Sequence, residues 1–102
     1  MPGIALLLDS APRAWTSQEE IHLRLCRALK AQGIRPVLVY AAKLPAEFEA
    51  RLRAGGAEIE VANYLHGGYG YYRMLGRIIK QYSITLVHVC FFNYYSLLPW
   101  LA

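Results

Sequence analysis

Four short apolar runs, separated by three segments of helical character, leave this chain few ways to fold. "IALLLD" (4–9) and "PVLVYAA" (36–42) are continuously aliphatic rather than alternating, the pattern of strands buried on both faces. "AEIEVANY" alternates at Ile59 and Val61, which suits a strand with a more polar face at a sheet edge. "ITLVHVCFF" is the fourth run. Ahead of the first helix, Thr16 with Glu19, or Ser17 with Glu20, has the spacing of a reciprocal N-terminal cap. Ile21, Leu25, Ala28 and Leu29 then recur at helical spacing, and Gly33 supplies a left-handed stop. "PAEFEARLRAGG" opens on Pro45 and closes on Gly55-Gly56, with Phe48 and Leu52 inward. "YYRMLGRIIKQYS" carries Leu75, Ile78 and Ile79 on one side. The order βαβαβαβ predicts an α/β, Rossmann-like fold: a parallel sheet of about four strands with helices on both faces.

Length and composition narrow the function classes. A chain of 102 residues makes one domain, and 56% hydrophobic with 18% charged residues excludes a disordered one. The richest apolar stretch, "LVHVCFFNYYSLLPWLA", carries His88, Asn93 and Pro99, which argues against a membrane span. "MPGIALLLDS" lacks the basic lead of a secretory signal. Cys26 and Cys90 lie far apart in apolar contexts, as buried free thiols do. A cytoplasmic protein is expected. The net charge of +4 is spread over residues such as Arg24, Arg27, Lys30, Arg73, Arg77 and Lys80 at helical spacing. Solvated helix faces account for it, and no nucleic-acid partner is expected.

Ligands of parallel sheets gather at the carboxyl ends of the strands, where strand order reverses beside the first strand. Four segments belong to that rim: Asp9 to Ser17, Tyr40 to Lys43, Asn63 to Gly70, and Cys90 to Tyr95. The rim lacks the Gly-x-Gly-x-x-Gly of dinucleotide binding, which "DSAPRA" replaces, and it lacks a P-loop. "VANY" offers no acid to pair with Asp9 in a phosphoacceptor site. Gly67, Gly68 and Gly70 read as a flexible turn before a helix, with close backbone approach to a ligand, beside Tyr69, Tyr71 and Tyr72, as the other reading. His66 and His88 do not have metal-pair spacing, no metal site is expected, and His88 reads as a packed strand histidine.

"LLLDSAPRAWTSQEEIHLRLCRALKAQGIRPVLVYA" resembles the start of the N-terminal domain of retaining GT-B glycosyltransferases, the family 4 group. Glu19, Arg27-Ala28-Leu29 and Gly33 match that pattern, with Thr16-Ser17 where a Gly-Gly pair usually stands. "ITLVHVCFFNYYSLLPWLA" looks like the family's fourth strand and following helix; His88 matches the first histidine of its His-x-His, and Cys90 replaces the second. The resemblance implies that residues 1–102 form a single α/β domain, the first part of a larger GT-B N-terminal domain. It implies an acceptor-side fragment of a sugar-nucleotide-dependent hexosyltransferase, without catalytic residues and inactive alone. No cofactor is expected in this chain; the sugar nucleotide belongs to the full-length protein.

On that reading Asp9, Ser10, Arg13, Trp15, Thr16 and Ser17 line the acceptor cleft, with Asn93 and Tyr94 across the rim. Trp15 stacks on a sugar or lipid-linked acceptor, Arg13 meets an anionic group, and the helix start at Thr16 and Ser17 binds an anion. The implied partners are that acceptor, a C-terminal donor-binding domain, and, for the full-length protein, peripheral membrane contact. Leu97, Leu98, Trp100 and Leu101 lack a packing surface, so the fragment is expected to form a homodimer through its tail. The competing reading is a stand-alone α/β interaction module whose aromatic surface comes from "YGYY" and "FFNYY".

Overall fold

The computed structural model describes residues 2–8, 14–62 and 68–90, without the side chains of residues 68, 89 and 90. The chain runs β1 (Gly3–Leu8), α1 (Ser17–Ala31), β2 (Arg35–Tyr40), α2 (Ala46–Ala54), β3 (Glu58–Val61), α3 (Gly68–Gln81) and β4 (Ile84–Cys90). The strands form one four-stranded sheet in the order β3-β2-β1-β4, and every pairing is parallel. The chain is therefore an α/β protein of Rossmann-like architecture, as the alternation of apolar runs predicts.

β1 has neighbours on both edges and helices on both faces, so its side chains serve two cores at once. Leu6 and Leu8 pack with Leu23 and Cys26 of α1 and with Phe48 and Leu52 of α2. Ala5 and Leu7 point the other way and pack with Tyr71, Leu75 and Ile78 of α3. Such a strand has no polar face, which is why "IALLL" shows no alternation. β2 repeats the arrangement, with Leu38 and Tyr40 on the first face and Val37 and Val39 on the second.

Close approaches fix the ends of the elements. Gly33 has φ of 78° after α1, the left-handed stop expected there. Gly3 donates to the Ser83 carbonyl at 3.0 Å, and a Cβ at Gly3 would lie 2.6 Å from the Tyr82 carbonyl oxygen. Only glycine lets the α3–β4 turn pass so near the start of β1.

Two helices differ from the sequence reading. α1 does not bury the Ile21, Leu25, Ala28 stripe: its buried residues are Glu19, His22, Leu23 and Cys26, while Ile21 is 62% and Leu25 38% exposed. α3 begins at Gly68, so Gly68 and Gly70 form its first turn instead of a loop ahead of it. Glycine costs about 1 kcal/mol per helical position, which the burial of Tyr71, Leu75 and Ile78 offsets.

Replacing Leu52, fully enclosed between α2 and the sheet, by Ala should lower unfolding free energy by about 2–5 kcal/mol. Ile21→Ala should change it by about 0.5 kcal/mol or less, as surface substitutions do. Urea denaturation of the two variants checks the contrast. Equal losses would contradict the inward face assigned to α1.

Candidate functional site at the carboxyl end of the sheet

Strand order reverses between β1 and β4, because β1 leads to β2 on one side while β4 joins it on the other. The first turns of α1 and the end of β4 lie beside that junction. Thr16 caps α1 from an extended conformation, its hydroxyl accepting from the Gln18 N–H at 3.3 Å. The same hydroxyl donates to Glu19 Oε2 at 2.7 Å. Of the two pairs open in the sequence, Thr16 and Glu19 are the ones that meet, side chain to side chain, while the backbone N–H that Thr16 accepts is that of Gln18.

That cap alters the expectation for an anion at this corner. Glu19 and Glu20 both lie in the first turn, where their charge already complements the positive helix end. A second anion there meets two carboxylates, so the corner suits neutral hydroxyl-bearing groups better than phosphate.

Trp15 is held from several directions. Its Nε1 donates to Glu20 Oε2 at 2.9 Å, and its ring meets Phe48 edge-on at 5.5 Å and 76°. The Arg51 guanidinium lies 3.8 Å from the ring centroid and 3.6 Å from Glu20. The indole thus clasps the entry to α1 onto α2, and one of its faces is occupied by Arg51.

The sequence reading missed His22 and Glu19 as members of this region. Both are buried on α1, His22 to 7% exposure, and among the described residues the Nδ1 of His22 has no hydrogen-bond partner. Burial is the chief cause holding the His22 pKa below its ordinary value of 6.5; the Glu19 carboxylate opposes that shift and His88 adds to it. His88 stands opposite Leu6 in the β1–β4 register, on the face that α1 covers, and it is exposed rather than packed as expected of a mid-strand histidine. An acid one turn ahead of a histidine in "TSQEEIH" was the available signal, obscured because both residues sit on the inward face.

Thr16, with the buried Glu19 and His22, on α1 and the exposed His88 on β4 are thus polar side chains on the β1–β4 side of the sheet. Ser17 opens α1 and is exposed. Asp9, Ser10, Arg13, Asn93 and Tyr94 lie outside the described residues, as do His66, Gly67 and the Leu97–Leu101 tail. Cys26 is free and buried, and burial pushes its thiol up to about 11, which keeps it protonated and inert. Among the described residues no three His, Cys, Asp or Glu side chains are set to hold a metal ion, and no helix is long and apolar enough to cross a membrane.

Tyr71, which the alternative reading of the glycine-rich segment set beside a ligand with Tyr69 and Tyr72, is instead buried in the core beneath α3, where burial raises its pKa. Tyr69 remains 73% exposed and stacks on Tyr72 with centroids 6.2 Å apart.

His22 makes stability depend on pH. In the unfolded chain its imidazole takes up a proton near 6.5, whereas the folded chain resists until lower pH. The unfolded state then binds more protons, so stability falls as pH drops below 6.5 toward the folded value and is unaffected above it. His22→Gln should flatten that decline, measured by thermal melts from pH 7.5 to about 5; an unchanged slope would remove His22 as its source. Thr16→Ala should cost about 1 kcal/mol at any of these pH values, read by the same melts.

Comparison with protein-family models, with curated proteins and with solved structures gives no match to this chain, so the parallel α/β architecture and the geometry of its rim are what characterise it.

Proposed function

We propose that this chain is the acceptor-side part of the N-terminal domain of a sugar-nucleotide-dependent GT-B glycosyltransferase, and that it does not catalyse transfer alone. The observation that carries the reading is the set of Thr16, Glu19, His22 and His88 beside the junction of β1 and β4, the position where parallel sheets hold their ligands. A hydroxyl, a carboxylate and two imidazoles supply both donors and acceptors, which is the equipment for a polyhydroxylated acceptor. The two acids in the first turn of α1 disfavour a nucleotide diphosphate at the same place. Donor binding and stabilisation of the departing diphosphate then fall to a further domain. A sugar or lipid-linked acceptor, contact with a membrane surface by the full-length protein, and a cytoplasmic setting belong to the same proposal.

A second reading, a stand-alone interaction module, is favoured by the exposed Tyr69, stacked on the half-buried Tyr72, with the Arg73 guanidinium 5.9 Å from the Tyr69 ring. Exposed aromatic and arginine side chains mark binding surfaces.

Amide chemical-shift titration of the chain with mono- and oligosaccharides separates the two readings. The acceptor reading expects shifts confined to residues 14–22 and the end of β4, and no turnover of sugar nucleotides. A silent rim, or robust turnover by the chain alone, overturns it.

A further inference from the structure

The two edges of the sheet are built differently. β3 is four residues long and carries Glu58 and Glu60. Arg53 pairs with Glu58 at 3.8 Å and donates to the Ile59 carbonyl at 3.4 Å, and Arg77 pairs with Glu60 at 3.4 Å. Shortness, charge and an arginine on the backbone are the means by which natural sheets block further pairing. β4 has none of these. It is seven residues long, "ITLVHVC", without a formally charged side chain, and among the described residues it joins the sheet only through β1.

Among the described residues both faces of β4 are also open. Leu86 is 57% and Val87 40% exposed, although successive strand residues point to opposite sides. The neighbouring flank of α1 continues the patch. At 100° per residue, α1 turns Glu20, Leu23, Arg27 and Lys30 toward α2, as the Arg51–Glu20 pair and the packing of Gly55 and Gly56 against the last three show. Ile21 and Leu25 lie on the other flank, toward β4, whose Leu86 and His88 stand opposite Ile4 and Leu6 on the α1 face of the sheet. Four of the six large apolar residues exposed among the described residues, Ile21, Leu25, Leu86 and Val87, thus gather at one edge, which is more than scattered surface hydrophobics account for.

We infer that this edge is an interface between two copies of the chain, joined by antiparallel pairing of β4 with β4 into an eight-stranded sheet. Charge selects the occupant. An uncharged strand pairs with itself without opposing like charges, whereas β3 against β3 confronts Glu58 and Glu60 with their own copies. The blocked β3 edge also excludes head-to-tail addition of β4 to β3, which generates open fibres, and leaves the isologous, self-closing dimer. A two-fold axis perpendicular to the sheet keeps both α1 helices on one side, so their Ile21–Leu25 flanks face each other across the two β4 strands. The inference concerns this chain by itself and does not rest on the transferase reading, in which further strands of a larger domain would compete for the same edge; it places self-association at the edge of the sheet rather than in the tail.

Sedimentation of the full chain over a concentration series tests it, with circular dichroism to confirm folding. The parent should form a dimer that does not grow further. Leu86→Lys, and Thr85→Lys as a second edge variant should the first fail to fold, should weaken the dimer at least about tenfold, equivalent to 1.4 kcal/mol. Val61→Lys on the blocked edge and the tail variant Leu98→Glu, Trp100→Glu should leave it unchanged. A monomeric parent, open-ended polymers, a folded Leu86→Lys or Thr85→Lys protein that dimerises as the parent does, or loss of the dimer in the tail variant would each overturn the inference.

Discussion

Everything in this molecule is arranged around the parallel ladders on either side of β1. A strand with hydrogen-bonded neighbours at both edges and helices over both faces must be apolar along its length, and Ala5, Leu6, Leu7 and Leu8 meet that demand. Parallel pairing in turn requires a crossover between consecutive strands. α1 and α2 cover one face and α3 the other, and these crossovers set which loop reaches the rim. The crevice at β1 and β4 is thus a product of topology before it is a product of particular side chains.

Elements whose burial is symmetric were the most legible in the sequence. β1 and β2 appear as unbroken aliphatic runs because both faces are covered, and the edge position of β3 shows in the alternation of Glu58, Ile59 and Glu60. α1 was legible in its ends and not in its face. Thr16 and Gly33 mark the boundaries through local backbone chemistry, but the inward surface mixes Glu19 and His22 with Leu23 and Cys26. Hydrophobic periodicity cannot recognise a polar inward stripe beside an apolar outward one. The same blindness hid the candidate site, since Glu19 and His22 declare themselves only once α1 is docked on the sheet. β4 shows the converse: its pattern is that of a doubly covered strand, whereas its surroundings among the described residues leave Leu86 and Val87 open.

The rim derives its character from uneven solvation. His22 is shielded and held neutral near physiological pH, while His88 a short distance away is wet; Glu19 accepts the Thr16 hydroxyl while Glu20 turns to Trp15 and Arg51. Groups of like type thus stand in unlike surroundings, one more deeply buried than the other. Tyr82 shows the same logic away from the rim: it donates to Glu60 at 2.7 Å, and burial together with that carboxylate pushes its hydroxyl up to about 12.

The register of the central strand also sets an order of assembly. Gly3 pairs with Arg35 on one side and with Ile84 on the other, so the second ladder closes a loop more than twice as long as the first. Loop closure grows costlier with length, and contacts distant in sequence form late. A chain emerging from its N-terminus can complete β1, α1 and β2 as a local unit and then add α2 and β3 beside it. Throughout that interval the free edge of β1 stays unpaired until Ile84 and the residues after it arrive, which makes the central strand the one most in need of shelter during synthesis.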